Sequence, residues 1–429
     1  MHYGIIAIGS RGDVQPFLGL ALGLLDRGHS ATVMAHENFK RFVEGYGLGF
    51  HPLPGNIEEM LHTDEGRKVL ESGSIITFMR FVRRNVAANQ TQVNEALVAG
   101  CKNADVLVTS LLGMIWVDAI AESSGKPWAT IQLSFPSTRT GEFPFPLLDF
   151  FDFPLYNRFT YRLFEYLYSK DYKKQLNQFR HSLGLPAVQG SILKKIAAEK
   201  SPNLYALSPA LLPRPTDWDK RSQLTGFIYL PAARRKENPM DHVPETLIRW
   251  LEAGEKPIYI GFGSIPVPDP ARFVHTLTQL LEETSYRILF CQGWSRLDGL
   301  PENPRLFTIA SGDHDFLFPR CRAAIIHGGI GTLAAGLRAR IPLVIASIVA
   351  DQPWWGKLIA RRGLGAFLPF HRWTTERLIA AIRVTETPAI QCQVIRIGDQ
   401  INREDGLHQT IAALEMYFMT TTPKAPADV

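Results

Sequence analysis

The chain has 429 residues, of which 45% are hydrophobic and 20% charged, with a formal net charge of +5. That length exceeds what one core sustains and points to two domains of roughly 100–200 residues each. The positive charge is mild and scattered, which excludes a nucleic-acid-binding stripe, and no segment approaches the roughly 18 uninterrupted apolar residues of a membrane span.

Cys101, Cys291, Cys321 and Cys392 lie far apart with no C-x-x-C pair. This argues against a structural zinc or a disulfide framework and suggests buried thiols in a reducing cytosol. Met1 runs straight into Ile5-Ile6-Ala7-Ile8 without a charged leader or cleavage site, so no export is expected.

In chain order, Tyr3 to Ile8 reads as a buried parallel strand, followed by the loop Gly9-Ser10-Arg11-Gly12-Asp13 and a helical pattern from Pro16 to Leu25. Ala31 to Ala35, Val106 to Thr109 and Trp128 to Leu133 repeat the grammar of strand, turn and helix, predicting a parallel α/β sheet. From about Gly141 to Tyr172 the composition turns aromatic, with Phe143, Phe145, Phe150, Phe151, Phe153 and Phe159 among the crowd. Strand grammar resumes at Asn203 to Leu207. A polar, proline-bearing run from Pro213 to Pro244 reads as an interdomain linker. A second α/β unit then follows, with strands expected at Pro257 to Phe262, Arg287 to Phe290, Ala323 to Ile326 and Pro342 to Ala346.

The densest local signal is Ile325-Ile326-His327-Gly328-Gly329-Ile330-Gly331-Thr332, a buried strand ending in a glycine turn that opens a helix near Thr332. Such a helix start presents unpaired N–H groups and a positive dipole end, which suits a diphosphate. Glycine allows backbone to approach phosphate oxygens, Thr332 adds a hydroxyl and His327 a ring donor. A tight turn with a capping threonine is the structural alternative. After the next strand comes Ala350-Asp351-Gln352-Pro353, where an acid beside an amide can clamp vicinal sugar hydroxyls, or simply cap a helix.

These residues carry a family resemblance. Gly9 to Pro16, the His327–Thr332 turn and Asp351-Gln352-Pro353, in that order and separation, resemble the GT-B family of inverting UDP-sugar glycosyltransferases. The likeness extends to the sterol 3β-glucosyltransferase branch through Thr138-Arg139-Thr140, Ser208-Pro209, Pro213-Arg214-Pro215, Asp217-Trp218, Thr225-Gly226, the run Trp250 to Ser264, and His314 to Phe318. Two departures stand out: Ile326 precedes His327 where that branch shows a second histidine, and Ala335 stands where plant relatives carry a ribose-binding acid. Together these departures leave UDP against dTDP open.

The resemblance implies two Rossmann-like doubly wound domains facing a cleft. It implies an N-terminal acceptor domain over 1–212 with an aromatic insertion at about 137–200, and a linker at 213–243. A nucleotide-sugar domain at 244–404, a C-terminal helix at 405–420 packing back on the first domain, and a frayed tail at 421–429 complete the layout. His327, Gly329, Gly331, Thr332 and Ser264 would bind the donor diphosphate, and Asp351 and Gln352 the hexose. Ser311, His314 and Phe316 would shape the nucleobase site, and Ser10, Arg139, Phe135, Phe143 and Phe145 the acceptor region.

By the same resemblance Asp13 occupies the position of the catalytic base, though the spacing alone equally describes a helix cap. A carboxylate is a weak base, but proton transfer late in an oxocarbenium-like transition state requires little basicity. No D-x-D cluster faces the phosphate turn, so no metal and no cofactor are expected beyond the UDP-sugar co-substrate. The expected partners are that nucleotide sugar and a lipophilic acceptor, with no nucleic acid, a cytoplasmic location and peripheral membrane contact through the aromatic stretch. Alternatives are a glycosyltransferase of a polyketide, flavonoid, carotenoid or glycopeptide, and a non-catalytic lipid or nucleotide binder. An NAD-dependent dehydrogenase fails because neither glycine loop has G-x-G-x-x-G spacing with a following acid.

Overall fold

The computed structural model describes residues 1–199, 201–236, 243–295 and 297–421. Expectations for linker positions 237–242 and the tail from 422 lie outside them. The chain forms two compact units: Met1–Asn56 with Val86–Arg234 and the segment from Glu404 onward, and Ile57–Asn85 with Arg235–Arg403.

The first unit is built on a seven-stranded parallel sheet. Its strands are β1 (His2–Ile6), β2 (Ser30–His36), β3 (Gly49–Leu53), β4 (Val106–Thr109), β5 (Trp128–Gln132), β6 (Asn203–Tyr205) and β7 (Ser222–Leu224), in the order β3-β2-β1-β4-β5-β6-β7. Central strands β4 and β5 are buried throughout, apolar at most positions and closing on the buried polar side chains Thr109, Thr130 and Gln132. The helix Gly406–Thr421 packs on the helix Arg11–Asp26 within this unit, where Arg27 grips Glu415 through Nε and Nη2 at 2.9 and 2.7 Å. β7 falls inside the stretch read as a linker. Pro213–Arg234 belongs to the first unit, because Ser222–Leu224 pairs in register with Asn203–Tyr205.

The second unit carries a six-stranded parallel sheet of β8 (Ile258–Gly261), β9 (Ile288–Cys291), β10 (Leu306–Ile309), β11 (Ala323–Ile326), β12 (Leu343–Ile345) and β13 (Gly365–Phe367), in the order β10-β9-β8-β11-β12-β13. Residues 57–85, expected in the first domain, belong here instead. Leu61, Val69, Leu70 and Phe81 of those helices join the core formed by Phe262, Phe273 and Phe290. Of the cysteines, Cys101, Cys291 and Cys321 are buried free thiols, whereas Cys392 is exposed, contrary to the reading of all four as buried.

Candidate active site

In each sheet the strand order reverses once, between β1 and β4 in the first and between β8 and β11 in the second. Ligands of open α/β sheets bind at the carboxyl ends of the strands at that reversal. Every chemistry-bearing loop singled out in the sequence leaves one of those edges.

In the second unit β11 ends at Ile326, paired with Gly261 of β8, so His327 leaves the sheet beside Phe262 and the loop Gly263-Ser264. Gly263 (φ +59°) lies against the His327 ring: a Cβ there would sit 3.2 Å from its Cε1, and one on Gly329 would meet Nε2. His327 is thus walled by two glycines, buried at 8% exposure, and its Nδ1 makes no hydrogen bond among the described residues. Burial pushes its pKa down to about 4, so the ring is neutral at pH 7. The helix Ile330–Arg338 begins earlier than expected, with Gly329 as its N-cap and Thr332 in the third helical position. Gly329 has no side chain with which to cap it, and the N–H groups of Ile330, Gly331 and Thr332 have no acceptor within the helix. A dipole end, helix-start amides and a neutral imidazole meet at one corner, an arrangement whose electrostatics suit an anion.

β12 delivers the sugar-binding candidates to the same corner, because a Cβ on Gly328 would lie 3.4 Å from Cβ of Gln352. Asp351 precedes the helix Gln352–Arg361, and its Oδ2 accepts 2.8 Å from Trp355 Nε1. Burial raises the Asp351 pKa above the ordinary carboxylate range, while the indole bond pulls against it. Gln352 departs from the clamp imagined for it. Its Oε1 accepts from the N–H groups of Ile348 (2.7 Å) and Val349 (3.1 Å), which braces the turn at Ala350 (φ +59°) and leaves the amide NH₂ as its only donor toward a sugar.

The nucleobase candidates are more constrained than the sequence suggested. His314 Nε2 lies 3.0 Å from the Tyr259 hydroxyl and its ring stacks on Phe318 at 4.6 Å. Phe316 carries the Arg320 guanidinium on one face at 3.9 Å, and Ser311 is exposed. Sequence reasoning missed a cavity of about 430 Å³ at this edge, whose polar lining includes Glu71, Arg272, Ser347 and His371. Glu71 comes from the helices at 57–85, whose place in this unit no local pattern announces.

In the first unit the helix expected from Pro16 begins at Arg11, with Ser10 as N-cap and Asp13 in its third position. Asp13 Oδ2 accepts from Ser10 N–H at 2.7 Å and from Ser10 Oγ at 3.2 Å. This is the reciprocal capping box, so the cap and the carboxylate placement are one arrangement. Gly9 (φ +137°) makes room for it, since a Cβ there would lie 2.2 Å from Oδ2. On the neighbouring strand Thr109 Oγ1 donates to Ile6 carbonyl oxygen at 3.1 Å, and the buried Ser110 hydroxyl next to it has no partner among the described residues. Ser110 is a buried polar group at this edge.

Of the acceptor candidates, Phe145 is corrected: it is 1% exposed, stacks on Phe164 at 4.0 Å and meets Phe135 edge-on at 5.3 Å, so it is core of the insertion. Phe143 is half-buried and Arg139 is exposed. The acids Asp118, Glu122 and Glu199 lie within 4.8 Å of one another. Lys195 Nζ binds all three at 2.7–2.9 Å, which makes the group an internal ion network.

Residues 3–144 match the model of the glycosyltransferase family 28 N-terminal domain. The chain is 32% identical to a sterol 3-beta-glucosyltransferase of Arabidopsis thaliana, over all of this chain and 67% of the plant protein. It is 30% identical to a second enzyme of that name from the same plant, covering 99% of this chain and 69% of the relative. A Neurospora crassa sterol 3-beta-glucosyltransferase is also 30% identical over 96% of this chain, which spans 27% of that longer protein. Among solved structures, the glycosyltransferase of kitacinnamycin superposes with a TM-score of 0.71 at 18% identity, covering 97% of this chain and 98% of the other. Glycosyltransferase VinC in complex with dTDP gives 0.68 at 15% identity, covering 98% and 100%.

Proposed function

The chain belongs to the sterol 3-beta-glucosyltransferase family, and from that premise we propose that it moves glucose from UDP-glucose to the hydroxyl of a sterol or sterol-like acceptor in the cytoplasm. The observation that carries the donor half is His327: a buried imidazole with an unpartnered Nδ1, walled by Gly263 and Gly329, in front of an uncapped helix. Buried polar groups without partners are rare, and a diphosphate oxygen would complete this one.

In the reaction proposed, the acceptor oxygen attacks the anomeric carbon, forming the new C–O bond as the bond to the diphosphate oxygen breaks. The electron pair leaves with UDP, and the acceptor proton passes to the Asp13 carboxylate. A single displacement inverts the anomeric centre. Negative charge gathers on the leaving diphosphate, where the Ile330, Gly331 and Thr332 amides, the helix dipole and His327 would stabilise it, supporting a metal-independent reaction. The Gln352 NH₂ and Asp351 would hold the hexose hydroxyls, with Ser264 beside the phosphates. Two variants separate the roles of Asp13. Asp13→Asn keeps an oxygen for the Ser10 N–H and loses the base, whereas Asp13→Ala loses both.

The test is transfer from UDP-glucose to a sterol panel, with product mass measured. Asp13→Asn should lower kcat by about 10²–10⁴-fold, the range of general-base contributions, with the UDP dissociation constant unchanged. Wild-type turnover in this variant would remove Asp13 from the mechanism, and transfer only to non-sterol aglycones would replace the acceptor assignment.

A further inference from the structure

The aromatic insertion of the first unit has two faces. The helix Pro154–Ser182 buries Tyr161 and Phe179 and packs Phe164 on Phe145. Its other side leaves Leu155 78%, Phe159 55% and Tyr166 64% exposed, and the approach to the helix adds Phe150 (76%), Phe151 (63%) and Phe153 (51%). Scattered apolar side chains on a surface are ordinary, but six in one continuous stretch are a patch that folding alone does not account for.

At 100° per residue, Leu155, Phe159, Arg162, Tyr166, Lys170 and Lys173 fall within an arc of about 80°, with Arg162 lying between the aromatic rings of Phe159 and Tyr166 along the axis and the two lysines beyond them. Glu165 and Asp171 project away from that arc. We propose that this face docks on the surface of a lipid bilayer, its rings sinking into the interfacial region and Arg162, Lys170 and Lys173 meeting anionic headgroups. Aromatic side chains lie well at that boundary, and basic side chains near it are drawn to anionic lipid, so composition and charge select the same partner. The segment 133–153 leaves the carboxyl end of β5, the sheet edge that also carries Asp13 after β1. A bilayer held there would present a lipophilic acceptor at the edge where its hydroxyl must react. That purpose rests on the sterol reading, whereas the docking itself does not.

Binding to phosphatidylcholine vesicles with and without phosphatidylserine, without donor or acceptor, tests the proposal by co-sedimentation. Wild type should sediment with vesicles, more strongly when phosphatidylserine is present. Phe151→Ser/Phe153→Ser/Phe159→Ser should reduce partitioning at least about tenfold, since three exposed rings leave the interface. Its thermal stability and its transfer to a cyclodextrin-solubilised sterol should stay at wild-type levels. Arg162→Glu/Lys170→Glu should lose only the phosphatidylserine-dependent increment. Undiminished sedimentation of the triple-serine variant, or no vesicle binding by wild type, overturns the proposal. So does a wild-type dimer that the serine substitutions disperse, because a second copy would then own the face. Absence of transfer to solubilised sterol would instead count against the acceptor assignment and leave vesicle binding standing.

Discussion

His327 makes the second unit sensitive to acid, and the effect can be worked through. Its pKa is depressed from 6.5 to about 4 by burial, so between those values the unfolded chain binds a proton that the folded one refuses. Stability contributed by the neutral ring is fully present above pH 6.5 and is lost as pH falls toward 4. The loss is about 2 kcal/mol at pH 5 and about 3 kcal/mol at pH 4, since each step of pH between the two values costs about 1.36 kcal/mol. With the residue only 8% exposed, solvent screening does little to reduce it. His327→Gln removes the titrating group, so calorimetric melting between pH 7 and 4 should show wild type losing about 6–12 °C more than the variant in the donor-unit transition. UDP-glucose, whose diphosphate charge is constant over this range, favours the protonated ring and should narrow the gap. Its affinity for wild type should rise as pH falls from 7 to 5, with proton uptake that differs between buffers of unlike ionisation heat. Identical acid profiles for wild type and variant would refute the burial, and binding without proton uptake at pH 5 would refute contact between the phosphates and a protonated ring.

Gly9→Ala should strain a φ of +137° and drive a methyl into Asp13 Oδ2, lowering kcat at least about tenfold through a misplaced carboxylate. UDP affinity measured by calorimetry should not change. Lys195→Met strips the cation from Asp118, which is wholly buried and already lifted to about 7 by burial against the pull of Lys195. Because Asp118 can then neutralise by taking a proton, the loss should sit at the low end of the range for a broken buried pair, about 3 kcal/mol, read by thermal melting. Chelation with EDTA should leave initial rates unchanged, and a rate restored only by added divalent cation would contradict the proposed charge stabilisation.

The central strands were legible because burial on both faces forces continuous apolar runs: Val106–Thr109 and Ala323–Ile326 appear at the positions expected. The sheet margins were not. Gly49–Leu53 holds His51 and Pro52, Leu306–Ile309 is half-exposed, and Ser222–Leu224 and Gly365–Phe367 are three residues long, too short for any period to register. Helical amphipathicity announces that residues 57–85 bury a face, but not against which sheet, because that choice is made by distant partners such as Phe273.

The same limit governs the sites. Glycine spacing revealed the His327 turn, since few other reasons place three glycines between a buried strand and a helix. That Gln352 Oε1 already accepts from the Ile348 and Val349 N–H groups, and that Phe145 faces Phe164, depends on side-chain directions that spacing does not carry.

The most direct measurement is a crystal structure of the protein with UDP. The β-phosphate should lie within hydrogen-bond distance of the His327 ring and of an amide among Ile330, Gly331 and Thr332. Phosphates bound away from the carboxyl edge of β8 and β11, with His327 Nδ1 still unpartnered, would contradict the account.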